Sequence, residues 1–368
     1  MSKLLVVCCD GTWNTPDELR GGRLTPTNVT KTALAIAPTD LSGREQRVFY
    51  HRGVGTSPGE HLIGGMFGYG LGRDVQETYR FLVQNFQPGD ELFFFGFSRG
   101  AYTARSTVGF VRNAGILRPE NADRLDDAYD LYRDRSNATC PRAIESTLFR
   151  RSYSYETRIR FIGVWDTVGA YGIPVTGVPF AKLFNKRLQF HDTALSSYVD
   201  AAFQALAIDE QRGPFRPTLW SQQDDPPAHQ QVEQVWFSGV HSNIGGGYPD
   251  HELSDVPLLW MVNRARRCGL AFSPDAFPHG PSGSAPLPDD ATMPESTSVH
   301  PNPLGLLANS RTGFYRLIAP FRRPIGLTDP RHEYASSTAV ERHDQVPDYA
   351  PPRLVAYLRG NHQVMPVG

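Results

Sequence analysis

Four consecutive apolar side chains, Leu92-Phe93-Phe94-Phe95, run straight into Gly96-Phe97-Ser98-Arg99-Gly100 and then into a helical pattern that Gly115 closes. Such a junction admits few folds. A strand that is apolar on both faces belongs in a parallel sheet covered by helices. A helix that begins at once leaves room only for a tight turn. The glycines flanking Ser98 let neighbouring backbone pass without a Cβ clash, so the serine can occupy a strained conformation. The pentapeptide occurs by chance in ordinary loops; the strand before it and the helix after it give it meaning.

The remaining pattern extends this unit. Residues 4–9 form an apolar run ending at Asp10-Gly11, which predicts another doubly buried strand. Asn28 is expected to cap a short helix through Ala37, stopped by Pro38. Residues 46–50 read as a strand, and the glycine-rich stretch 53–72 as a loop, either plain surface or the rim of a pocket. Val75, Tyr79, Leu82 and Phe86 make one apolar stripe over a helix at 74–86. Further helices are expected over 121–135, 196–208 and 255–268, the last capped by Ser254. Further strands are expected over 158–165 and 231–239, with loop at 172–179. This alternation over residues 1–268 predicts an α/β fold with a mainly parallel central sheet and helices on both faces. From residue 269 the chain is proline-rich and weakly periodic, so it is expected to wrap the core. A single domain over 1–368 is the simplest organisation.

Composition narrows the partners. With 37 basic and 38 acidic residues the formal net charge is −1, which gives no bulk attraction for nucleic acid or an anionic membrane. The four cysteines, Cys8, Cys9, Cys140 and Cys268, show no metal-ligand spacing. Cys8 and Cys9 point to opposite faces of a strand and suit a reducing compartment. The short apolar run at the N-terminus fits neither a signal peptide nor a spanning helix. A cytoplasmic chain is expected, and secretion without a cleaved signal is compatible with it.

A serine hydroxyl needs a base to attack an ester, and the base needs an orienting carboxylate. In open parallel sheets such groups gather beyond the carboxyl ends of strands. Asp166 follows the strand Phe161-Ile162-Gly163-Val164-Trp165, and His241 follows Val235-Trp236-Phe237-Ser238-Gly239-Val240. Ser98, Asp166 and His241 thus arrive in the order Ser, Asp, His. Asp166 would also serve as a helix cap and His241 as part of a structural turn. His251 is a rival base and Asp255 a rival acid. An oxyanion needs backbone donors, for which the candidates are the amides of Arg99 and of Gly11 or Thr12. Asp10 and Asn243 are expected to support the site from behind.

Taken together, Cys9-Asp10-Gly11-Thr12-Trp13-Asn14, the segment Gly96 to Arg105, Val164-Trp165-Asp166-Thr167-Val168-Gly169 and His241-Ser242-Asn243-Ile244-Gly245-Gly246-Gly247-Tyr248 resemble one family. It comprises uncharacterised-type α/β hydrolases that include the catalytic domain of type VI secretion phospholipase effectors. The likeness runs from about residue 3 to 355. It implies an α/β-hydrolase-type fold, a triad of Ser98, Asp166 and His241, and ester or phospholipid hydrolysis. The chain is shorter than the larger effectors, and no extra membrane-engaging domain is expected.

The expected function is therefore acyl-ester hydrolysis through an acyl-enzyme, with no cofactor and no metal. The substrate is an acyl ester or lipid, and transient contact with a membrane surface is compatible with that. Helical cap insertions are expected at 118–157 and 170–230, with Tyr129, Tyr132, Phe180, Phe184 and Phe203 available to line an acyl pocket or to pack in the core. Two alternatives stand. One is a non-catalytic binding module on a hydrolase scaffold. The other is a phosphatase, since residues 6–12 resemble haloacid-dehalogenase-like enzymes, although Cys8 occupies the position of their nucleophilic aspartate.

Overall fold

Strands buried on both faces and sandwiched between helices dictate the architecture. The computed structural model describes residues 2–11, 19–20, 23–53, 66–134, 136–169, 194–223, 225–277, 297–360 and 362–367. Among these, one sheet is formed by β1 (Leu4–Cys9), β2 (Gln46–His51), β3 (Glu91–Phe97), β4 (Phe161–Trp165), β5 (Ala201–Ala207), β6 (Gln231–Phe237), β7 (Glu333–Ser336) and β8 (Val364–Met365). The spatial order is β2-β1-β3-β4-β5-β6-β7-β8, and every neighbouring pair is parallel. The chain leaves β1 toward one edge and returns to its other side as β3. That reversal opens a crevice at the carboxyl ends of β1 and β3, the usual ligand position in a doubly wound sheet. Asp10 and Ser98 lie there.

The helices are α1 (Asn28–Ala35), α2 (Met66–Asn85), α3 (Arg99–Ala114), α4 (Leu125–Arg133), α5 (Ile144–Tyr153), α6 (His241–Gly245), α7 (Glu252–Arg267), α8 (Ser337–Gln345) and α9 (Pro352–Arg359). On one face, Leu5, Val7, Phe94, Ile162 and Val164 pack against Val75, Tyr79 and Leu82 of α2 and Ala101, Ala104 and Val108 of α3. On the other, Val6, Cys8, Phe93, Phe95 and Trp165 pack against Val29 of α1 and Leu258, Met261 and Val262 of α7. The continuous apolar runs of β1 and β3 thus have helices on both sides, as parallel strands require.

Several expectations are corrected. Residues 201–207 are strand β5, fully buried, and not part of a helix over 196–208. The alanines that favour helix are overridden by pairing with β4 and β6 on either side. The segment 170–230 is therefore not wholly a cap. In the other insertion, α4 delivers Leu125, Ala128 and Tyr132 into the core beside α2 and α3. The chain beyond residue 269 does more than wrap: it supplies β7 and β8, and Leu354 and Tyr357 of α9 pack with Trp236 and Ala335. Glu333 tolerates burial in β7 because Trp236 Nε1 (2.9 Å) and the amides of Gly326, Thr328 and Asp329 donate to its carboxylate. Thr27, not Asn28, caps α1, its side chain accepting from Thr30 N. His251 precedes α7, with Ser254 inside its first turn. Residues 54–65 of the glycine-rich stretch, and the loop at 172–179, lie outside the described residues. No helix among the described residues is long and apolar enough to cross a membrane.

Candidate active site

The turn between β3 and α3 puts Ser98 at φ 57°, a left-handed conformation rare for a residue with a Cβ. Its neighbours make this feasible. A Cβ at Gly96 would lie 2.6 Å from Ala101 Cα, and one at Gly100 would overlap the carbonyl oxygen of Cys9. The two glycines therefore let α3 start hard against β1 and β3. Ser98 N donates to Trp165 O at 3.1 Å, tying the turn to the end of β4. Arg99 opens α3, so its N–H belongs to the first turn, ahead of the helix's own i to i−4 bonds.

Asp166, next after β4, is also left-handed, at φ 41°. Both residues store strain at the same crevice, a pattern associated with functional sites. His241 begins α6 after β6. Its Nε2 lies 2.9 Å from Ser98 Oγ, and its Nδ1 lies 2.5 Å from Asp166 Oδ2. The three side chains expected from their strand-end positions are thus brought into one hydrogen-bonded line. The rings of Phe97 and Phe215 pack against the imidazole at 4.7 and 4.9 Å between centroids.

One contributor carries no sequence signal. The Arg323 guanidinium, fully buried, grips the Asp166 carboxylate through both Nη atoms, with Nη2 at 2.9 Å from Oδ2. The same group donates to Ala207 O at 3.1 Å and Phe215 O at 2.7 Å. Ala207 N adds a further bond to Asp166 Oδ1 at 3.0 Å. Burial alone would raise the Asp166 carboxyl, but Arg323 and His241 hold it well below the ordinary range. Arg323 stands in a proline-flanked loop 157 residues from Asp166, a separation at which no spacing rule applies.

The supporting residues differ in role. Asn243 Oδ1 accepts from Val240 N and Ala308 N, both at 3.2 Å, and so braces the turn that carries His241. Glu210, also buried, accepts from His241 N at 3.3 Å and from Ser310 Oγ at 3.0 Å. Asp10 is enclosed by Thr27 Oγ1 (2.6 Å), Thr30 Oγ1 (2.9 Å), Tyr50 OH (2.7 Å) and the Gly11 amide (2.6 Å). The Gly11 N–H named as an oxyanion donor is thus engaged with Asp10 in this structure. Thr12 lies outside the described residues.

The rivals stand apart from Ser98. His251 Nδ1 pairs with Asp255 Oδ2 at 2.5 Å, and Lys31 Nζ reaches Asp255 Oδ1 at 2.8 Å, a buried cluster joining α1 to α7. Of the aromatics named for an acyl pocket, Phe203 lies in the core against Trp260, and Tyr132 stacks on Phe110. Tyr129 meets Phe110 edge-on, and Phe180 and Phe184 lie outside the described residues. Among the described residues no cluster of His, Cys, Asp and Glu is arranged to hold a metal.

The chain is similar to an uncharacterized protein of Saccharomyces cerevisiae, YEL023C, at 29% identity over 236 residues, covering 58% of this chain and 32% of the yeast protein. It is also similar to an uncharacterized protein from Pseudomonas aeruginosa of known structure, with a TM-score of 0.45 and 17% identity, covering 74% of this chain and 46% of that one. The chain therefore spans about a third of the length of the yeast relative and under half of the bacterial one. The family model of the T6SS phospholipase effector Tle1-like catalytic domain matches residues 3–264. The chain belongs to that family of Tle1-like catalytic domains.

Proposed function

We propose that this protein hydrolyses acyl esters, phospholipids among them, with Ser98 as nucleophile. The observation that carries the reading is the unbroken line from Ser98 Oγ through the His241 ring to Asp166. In this mechanism His241 Nε2 takes the hydroxyl proton as Ser98 Oγ attacks the acyl carbonyl. The tetrahedral oxyanion forms beside the first turn of α3, where the Arg99 amide donates and the helix N-terminus favours negative charge. The proton passes from His241 to the leaving alcohol as the C–O bond breaks. Water, deprotonated by the same imidazole, then releases the acid and restores Ser98. Asp166 fixes the ring tautomer and stabilises the imidazolium, and Arg323 keeps Asp166 ionised and in place. The strain at Ser98 and the family's phospholipase character both support this reading.

Covalent labelling by an alkyl fluorophosphonate tests it. The folded wild-type protein should label at Ser98, and Ser98→Ala should not label. That variant should lose turnover on short-chain esters by about 10⁴-fold or more while remaining folded. An unlabelled, inactive, folded wild type leaves a binding module. Acyl-chain profiling followed by phospholipid vesicles then reads the substrate class.

The phosphatase alternative is disfavoured by the first strand. Cys8 is buried in the core, and burial raises its thiol well above the ordinary value. The Asp10 carboxylate is occupied by three hydroxyls and an amide.

A further inference from the structure

Along the flank of α3, from Arg105 to Asn113, lies a cavity of about 440 Å³, bounded also by residues 136–142 and 194–199. That volume falls within the range of small-molecule sites. Most of its wall is apolar, and Val108, Leu195 and Trp220 are among its lining residues. Arg105, Arg112, Arg142 and Asp134 also line it. The Arg112 guanidinium is stacked 3.9 Å from the Tyr198 ring centroid, and its Nη1 is buried with no hydrogen-bond partner. Among the described residues no carboxylate pairs with Arg112 or Arg142. Burial is the largest influence on the Arg112 cation and opposes it; Tyr198 and Glu156 favour it, while Arg150 and Arg142 oppose it. An unpartnered buried donor is costly, and an anionic head in the cavity would engage the guanidinium through a charge-assisted bond.

We propose that this cavity binds a single-chain amphiphile with an anionic head, the head between Arg112 and Arg142 and the chain along the apolar wall. Arg112 follows Ser98 by 14 positions on a helical path, ~21 Å at 1.5 Å per residue. The proposed head position is therefore apart from Ser98, although the cavity runs along α3 back to Arg105, and the proposal does not depend on the role given to Ser98. A fatty carboxylate and an alkyl phosphate share the chemistry required.

Calorimetric titration with dodecanoate, dodecyl phosphate, dodecanol and dodecyltrimethylammonium, each below its micelle concentration, tests the proposal. One or both anions should bind at one per chain, and the alcohol and the cation at least about tenfold more weakly. Arg112→Gln should weaken anion binding by about tenfold or more, the scale of one charge-assisted bond. Arg142→Gln, at an exposed position, should also weaken it, and it keeps the test open if the Arg112 variant does not fold. Both folded variants should retain ester turnover within about twofold, because a charge some 21 Å away is well screened. Undiminished anion affinity in the folded variants would overturn the proposal, as would equal binding of dodecanol or absence of one-to-one binding. If ester turnover is absent in the wild type, the hydrolase reading fails while the binding result stands by itself.

Discussion

Arg323 holds Asp166 through two nitrogens, so the carboxylate that faces His241 is shared with a permanent cation. Without that cation the buried carboxylate loses both its charge partner and its fixed position beside the ring. Arg323→Gln should therefore lower kcat on short-chain esters by about tenfold or more, and Arg323→Lys, with its charge kept, should recover part of the loss. Steady-state kinetics of the two folded variants check this; an unchanged kcat in Arg323→Gln would count against it.

The same pair bears on acid stability. Because the Asp166 carboxyl is held below its ordinary value, its contribution is complete above about pH 3.9 and is lost as pH falls beneath that. Removing one partner of a buried pair costs about 3–5 kcal/mol. Arg323→Gln should lower the urea midpoint at neutral pH, and the gap from wild type should narrow in acid.

Two glycines of α3 should respond oppositely to alanine. A Cβ at Gly100 would overlap the backbone carbonyls of Cys9 and Asp10, which have no side-chain freedom with which to turn aside. Gly100→Ala should destabilise by about 3 kcal/mol and abolish fluorophosphonate labelling. At Gly109 a Cβ would meet Tyr132 at an ordinary 3.4 Å. Gly109→Ala should be neutral or stabilise by up to about 1 kcal/mol, since alanine suits a helix interior better. Thermal midpoints of the two variants read the contrast.

Asp209 is pushed up to about 6, chiefly by burial, although Gly239 N and Tyr349 OH donate to it. The native state keeps this proton where the unfolded chain has released it. Its contribution is full below about pH 3.9 and is lost as pH rises through the native value. Asp209→Asn can still accept both bonds and has no charge to bury, so it should flatten the stability profile between pH ~4 and ~6 and gain on wild type above that range. Denaturant midpoints at three pH values check this; parallel profiles would count against it.

Ester turnover should be unaffected by a chelator, since the mechanism needs only the three side chains and backbone amides. Activity lost in EDTA and restored by Mg²⁺ would revive the phosphatase alternative.

What the sequence disclosed was local. Ser98 and Asp166 directly follow strands, and His241 follows one after three residues, so their approach to the carboxyl ends of the sheet was readable from pattern. Three things were not. The alanine-rich stretch 201–207 has helix propensity and becomes a strand only because its flanking strands are already in place. Glu333 and Tyr334 give β7 no apolar run; the strand exists because Glu333 finds donors from Trp236 and three amides. Arg323 reaches Asp166 through a loop whose path no periodicity reports.

The family match stops at residue 264, but the folded unit does not. Strand β6 pairs with β7 along Gln234–Trp236 and Glu333–Ala335. A chain cut at 264 would present that rim of β6 unpaired, leave Trp236 Nε1 without its acceptor and strip Asp166 of its cation. An unpaired rim in mid-sheet is a template for association between molecules. The segment recognisable by kinship is thus smaller than the sheet the chain folds into. An expression boundary drawn from the match should give a fragment with an exposed strand rim, prone to association.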